Sequence, residues 1–103
     1  MKRTLAIETT KKLGETVSVS GFVAVRRDHG KIVFLDLRDR SGVVQLVLSQ
    51  DILDVRNEDV IEAEGIVQKR PEAMVNQKLS TGTIEIAVTK ITLLSKSREL
   101  PLP

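Results

Sequence analysis

No cysteine occurs among the 103 residues, which excludes disulfides, thiolate metal sites and cysteine nucleophiles. Tryptophan and tyrosine are also missing, so Phe22 and Phe34 supply all the aromatic rings. With so few rings, one on an outward strand face is informative. Apolar runs are only a few residues long, too short to span a bilayer. The charged start Met1-Lys2-Arg3-Thr4 is not followed by the apolar stretch of a signal peptide. There is a single histidine, His29. No Gly-rich phosphate loop follows a strand, and no carboxylate–histidine spacing suits a metal. Glu62 and Glu64 share one strand face without a partner base and read as a solvated face. The sequence therefore offers no catalytic residues and no metal ligands, and a cofactor is not expected for this chain.

What is present suits one domain with one core. The chain is too short for a core plus a nucleotide-binding catalytic domain. Sixteen basic and 14 acidic side chains leave a net charge of +2, which permits a polyanionic partner without demanding one. The absence of cysteine is compatible with a reducing cytoplasm, the expected location.

Thr9 to Glu15 reads as a short helix or turn ended by Gly14. Alternation then takes over. Val17, Val19, Val23 and Val25 fall on one face of a first strand, with Gly21 as a bend or bulge. A turn at Arg26–Gly30 leads to a second strand, Lys31 to Arg38, with Val33, Leu35 and Leu37 inward. Asp39–Gly42 is a hairpin loop. The third strand, Val43 to Leu48, points Val44, Leu46 and Leu48 inward. Ser49 to Asp59 reads as a short helix or irregular connection. The fourth strand, Val60 to Gln68, carries Ile61, Ala63, Gly65 and Val67 in phase. A long loop with Pro71 precedes a fifth strand that starts at Thr83 and carries Ile84, Ile86 and Val88. Lys96 to Pro103 reads as a linker. This pattern predicts an all-β fold, a five-stranded Greek-key OB barrel with a short helix between strands three and four. An SH3-like barrel or a small sandwich also fits the pattern. The predicted division is residues 1–95 for the barrel and 96–103 for the start of a linker.

The functional signal lies in residues out of phase with that core, because side chains alternate across a strand. Phe34 falls between Val33 and Leu35, Gln45 between Val44 and Leu46, and Glu85 between Ile84 and Ile86. All three are expected to point outward, on the surface an OB barrel uses for oligonucleotides. An exposed ring is a platform worth roughly 1–3 kcal/mol per stacked base. A Gln amide matches the donor and acceptor of uracil, and a carboxylate matches the two N–H groups of guanine. Arg26, Arg27, Lys69 and Arg70 sit at the rims, where they can hold phosphates. Plainer readings stand beside these: a loop-covered Phe34, plain surface for Gln45 and Glu85, solvated arginines, a turn role for His29. Asp36, Arg38, Asp39 and Arg40 read as an ion-pair ladder that adds little stability.

The stretch from Gly21 through Gly30, with Arg26-Arg27-Asp28-His29-Gly30, resembles the N-terminal domain of bacterial-type aspartyl-tRNA synthetases. So do the following KIVFLDLRDRSGVVQ and the later Thr81-Gly82-Thr83-Ile84-Glu85-Ile86 with Pro71 and Asn76. These motifs occur in order over nearly the whole chain. The resemblance implies an OB-fold module that grips the splayed anticodon loop of tRNA(Asp). It implies that Phe34 stacks on the central uracil, that Gln45 reads that uracil, and that Glu85 reads the first base, guanine or queuosine. It places Arg27 at the anticodon, and Arg70 and Asn76 on the loop over the last base. His29 resembles the residue of enzymes that also charge tRNA(Asn), so GUU joins GUC as an anticodon to test. Phe22 replaces the usual Trp and Thr83 the usual first Glu of TGEIEV. The resemblance further implies that ATP and Mg act in a catalytic domain absent from this chain. Leu100-Pro101-Leu102-Pro103 then resembles the hinge toward it. The isolated domain is expected to be a monomer and the full-length ligase a homodimer. The competing expectation is a general single-strand or protein-binding OB module, including an isolated or engineered scaffold.

Overall fold

The computed structural model describes residues 3–49 and 55–95. Five strands close into a barrel: β1 (Thr16–His29), β2 (Ile32–Asp39), β3 (Gly42–Ser49), β4 (Val60–Lys69) and β5 (Ile84–Ser95). Their order around the barrel is β1-β2-β3-β5-β4, and β4 returns to β1. This is the all-β, five-stranded OB arrangement expected from the alternation. The closed ring, with β3 and β5 meeting in parallel, is not a two-sheet sandwich.

Inward positions alternate as the pattern predicts. Val19, Val23, Leu35, Leu37, Val44, Leu46, Ile61 and Ile86 are fully buried. Strand β1 serves two neighbours. Thr16–Phe22 pair with β4, and Phe22–His29 pair with β2. The change of partner requires a close approach at Gly21, where an added Cβ would lie 2.2 Å from the Arg38 carbonyl oxygen. Gly21 is therefore a contact point and not the bulge. The bulge lies between Val23 and Val25. It rotates Val25 out of the core, leaving it 39% exposed, against the expectation that Val25 faces inward. The shift has a functional consequence. Beyond it, Arg27 stands opposite Phe34, on the outer face of the barrel. Uninterrupted alternation from Val23 would have turned Arg27 inward.

The segment after β3 braces this bulge. Val23 N–H donates to the Asp59 carbonyl at 2.8 Å, and Glu58 N–H donates to the Val23 carbonyl at 2.7 Å. Of the stretch Ser49–Asp59, expected as a short helix or irregular connection between strands three and four, residues 50–54 lie outside the described residues. Val55–Asp59, which follow, form a turn in which Val55 joins the core.

The expected N-terminal helix starts earlier than the pattern predicts, as a 3-10 helix over Ala6–Lys11. The reason is a pair of acceptors in the β2–β3 turn. Asp39 Oδ2 accepts from Ala6 N–H at 2.7 Å, and Ser41 Oγ accepts from Ile7 N–H at 3.0 Å. The helix begins where its first unpaired donors find partners. Asp39 also accepts from the Ser41 backbone and hydroxyl. It is thus a turn and cap residue and not a rung of an ion-pair ladder. The expected linker, 96–103, lies outside the described residues. Among the described residues no helix is long and apolar enough to cross a membrane.

Candidate nucleic-acid interface

The outer face of β2, β3 and β5 carries a polar cluster beside Phe34 and Val47, and the register says why its members meet. Asp36 of β2 stands opposite Gln45 of β3, Phe34 stands opposite Arg27 and Val47, and Gln68 of β4 stands opposite Glu85 of β5. From these pairings a continuous hydrogen-bond chain follows. Arg27 donates to both Asp36 oxygens at 2.9 Å in a bidentate pair, and its Nη2 also reaches Gln45 Oε1 at 3.2 Å. Arg70 Nη1 donates to the same Gln45 oxygen at 3.3 Å. The Gln45 amide nitrogen donates to Glu85 Oε1 at 2.9 Å. The Gln68 amide donates to Glu85 Oε2 at 2.7 Å. Chemistry fixes both amide orientations, because guanidinium groups only donate and an ionised carboxylate only accepts.

Outward direction does not make these groups exposed. Gln45 is 1% exposed, Glu85 3%, Phe34 7% and Arg70 8%. This corrects the expectation of an open ring, amide and carboxylate. Phe34 lies outside the main apolar cluster yet is covered on its own face. The His29 ring stands edge-on to it, with centroids 5.4 Å apart and planes at 89°. The segment between β4 and β5 closes over the rest. Arg70 ties it down by donating from Nε to the Ile84 carbonyl at 2.9 Å and from Nη1 to the Met74 carbonyl at 3.3 Å. Thr81 Oγ1 donates to the Val43 carbonyl on β3. Arg70 is therefore a buried strut as well as a candidate reader, not a rim cation. Burial pushes its guanidinium below the usual arginine range, opposed by Asp36 and Glu85. The hydrogen bond to Asp36 raises that of Arg27.

One donor in this network is unused. Arg70 Nη2 is buried and has no hydrogen-bond partner among the described residues. A buried unpaired donor is costly, and an acceptor brought by a ligand would satisfy it. The cluster holds two guanidiniums and two carboxylates, so its charges balance. It is equipped to match hydrogen-bonding edges more than to bind phosphate. Among the described residues no group of His, Asp and Glu side chains could hold a metal ion.

Asn76 does not join the network. It is exposed, and its side chain accepts from Lys78 N–H at 3.0 Å while its backbone N–H donates to the Gly82 carbonyl at 3.0 Å. It shapes the loop, and Gly82 is packed so closely that a Cβ there would sit 1.7 Å from the Asn76 carbonyl oxygen. His29 makes its ring contact with Phe34 and lies at the β1 end, not in the loop between β4 and β5. Arg26 is a structural residue, donating to Asp28 at 2.8 Å and to the Val55 carbonyl at 2.6 Å. Its bond to Asp28 holds that carboxyl below the usual range.

Sequence reasoning missed Asp36 and Gln68. Asp36 has the same strand phase as Phe34, a signal that was available. Gln68 could be found only through its register with Glu85.

The comparisons agree with this geometry. A family described as "OB-fold nucleic acid binding domain", of the tRNA anticodon group, matches residues 17–94. The chain is 52% identical over 99 residues to an aspartate–tRNA(Asp/Asn) ligase of Dictyoglomus turgidum, covering 88% of this chain and 17% of that protein. It is 48% identical over 99 residues to an aspartate–tRNA ligase of Halalkalibacterium halodurans, with the same coverage of 88% and 17%. An aspartyl-tRNA synthetase structure from Entamoeba histolytica superposes with a TM-score of 0.79 at 25% identity, over 99% of this chain and 23% of that one. The chain thus spans about one sixth of the curated relatives it matches, 17% in both cases. This chain, a closed five-strand barrel with a polar cluster on the outer face of β2, β3 and β5 and matched by that family over most of its length, belongs to the tRNA anticodon family of OB-fold nucleic-acid-binding domains.

Proposed function

We propose that this chain reads the anticodon loop of tRNA(Asp), with the sequence GUC, as the recognition module of an aspartate–tRNA ligase. The observation that carries the reading is the linked pair Gln45–Glu85, set between two arginines on the outer face of β2, β3 and β5. Gln45 offers a donor and an acceptor side by side, the complement of the central uracil. Glu85 accepts from the N–H groups of the first base, guanine or queuosine. Phe34 supplies the stacking ring for the uracil, and a base reaching that ring displaces His29 from its edge-on contact. Arg27, clamped by Asp36, orients the Gln45 carbonyl. Arg70 presents its free Nη2 to the acceptors of the last base, and Asn76 supports the loop beside it.

In the free protein these groups, apart from Arg70 Nη2, satisfy one another. Binding is therefore an exchange of internal hydrogen bonds for base-edge hydrogen bonds, which favours selectivity over affinity. A base that leaves the opened donors and acceptors unpaired incurs their desolvation penalty. Cytosine and uracil both present an acceptor that Nη2 can use, so the GUU loop of tRNA(Asn) belongs to the same proposal. Equal affinity for GUC and GUU stem-loops supports that relaxed specificity; a strong preference for GUC contradicts it. The full-length ligase is proposed to be cytoplasmic and dimeric, with ATP and Mg used in its catalytic domain and no catalysis in this chain.

A further inference from the structure

Gln68 stands directly opposite Glu85 across the β4–β5 pairing, and its amide donates to Glu85 Oε2 at 2.7 Å. It is exposed, so apolar packing does not account for its placement. The two oxygens of Glu85 are held by different amides, Oε1 by Gln45 and Oε2 by Gln68. These anchors are not equivalent during binding. A Gln45 amide shared with a uracil edge holds Oε1 less firmly, which leaves Gln68 as the donor that fixes the carboxylate plane. A carboxylate must hold that plane to accept two parallel N–H groups, because hydrogen bonds weaken steeply away from linearity.

We propose that Gln68 is a positioning residue for first-base selectivity, holding Glu85 in the orientation that accepts a guanine edge while Gln45 is occupied by the neighbouring base. Each Glu85 oxygen has two acceptor directions, so Oε2 serves Gln68 and the base together. The inference rests on Glu85 being the first-base reader.

The test uses the whole chain and four anticodon stem-loops: GUC, one with adenine first, one with inosine first, and one with cytosine at the centre. Inosine keeps the N1–H group of guanine and lacks its amino group. In Gln68→Ala the preference for guanine over adenine is expected to fall about 3–10-fold, the scale of a weakened hydrogen bond to a charged group. The preference for guanine over inosine falls with it. The preference for central uracil over cytosine stays as it was, and the melting temperature falls only by what the loss of one hydrogen bond to Glu85 requires. Gln68→Arg, which keeps a donor within reach of Oε2, retains the guanine preference. An unchanged first-base preference in Gln68→Ala, with that preference lost in Glu85→Ala, overturns the inference and leaves Glu85 as the reader. An equal fall at both bases also overturns it, since it marks a general structural role. An unchanged preference in Glu85→Ala overturns the assignment of Glu85, and this inference with it.

Discussion

Gln45 and Glu85, proposed to read adjacent bases, are hydrogen-bonded to each other at 2.9 Å. They come from β3 and β5, strands that meet in parallel at Leu46–Ile86 and Val47–Ala87. The two readings are therefore coupled, and neither side chain can be altered without affecting the other's environment.

That coupling predicts the behaviour of Gln45→Ala. The change removes the acceptor of Arg27 and Arg70 and one donor to Glu85 in a buried setting. Folding stability should fall by about 1–3 kcal/mol, read by urea denaturation, and selectivity at the central base should disappear. The double variant Gln45→Ala with Glu85→Ala should lose less than the sum of the single losses, because the shared bond is removed once.

Phe34→Ala should destabilise the fold by about 3 kcal/mol, the low end for truncating a buried ring, since the side chain is covered and not exposed. Phe34→Leu keeps most of the buried volume and removes the aromatic face. It should fold nearly as well and still lose binding by about 1–3 kcal/mol if the ring stacks a base. Calorimetric melting alongside stem-loop titration separates the two effects. Unaltered binding in Phe34→Leu would return the ring to a purely structural role.

Arg70→Lys should not be conservative. A lysine has no planar fork to reach the Ile84 and Met74 carbonyls and Gln45 together, and the ammonium is more strongly hydrated. The expected loss is about 3 kcal/mol, as for breaking a buried charged network. Hydrogen exchange should accelerate selectively in residues 71–83, the segment that Arg70 ties down.

Gly82→Ala tests the loop independently of any reader. The new Cβ meets the Asn76 carbonyl oxygen, which is backbone and has little room to move. A loss of about 2–4 kcal/mol is expected, read by urea denaturation. Asn76→Ala, which removes only the bond to Lys78 N–H, should cost about 1 kcal/mol.

Much of this was legible in the residues. The inward set on β2 and β3 follows from period-two alternation, and the outward phase of Phe34, Gln45 and Glu85 follows from the same count. Burial of those outward residues was not legible, because alternation reports a face and not what covers it. The cover comes from Arg70 and the segment behind it, whose contacts with Gln45, Met74 and Ile84 carry no periodic signal. The bulge after Val23 was misplaced at Gly21 for a related reason. A glycine marks either a bulge or a close approach, and only the proximity of Gly21 to the Arg38 carbonyl distinguishes them. Asp36 was assigned to a ladder along its own strand, whereas its partner, Arg27, lies across the sheet.

The central claim is that the outer face of β2, β3 and β5 reads an anticodon by its base edges. The most direct measurement is a titration of the intact chain with an anticodon stem-loop carrying GUC, set against the same loop with its central uracil replaced by cytosine. Cytosine sets an amino group where uracil has a carbonyl, and so opposes the bonds that Gln45 offers. Tighter binding of the GUC loop by about tenfold or more, on the scale of 1–3 kcal/mol for unpaired buried groups, is the predicted result. Equal affinity for both loops, or for any unrelated single strand, would contradict the account.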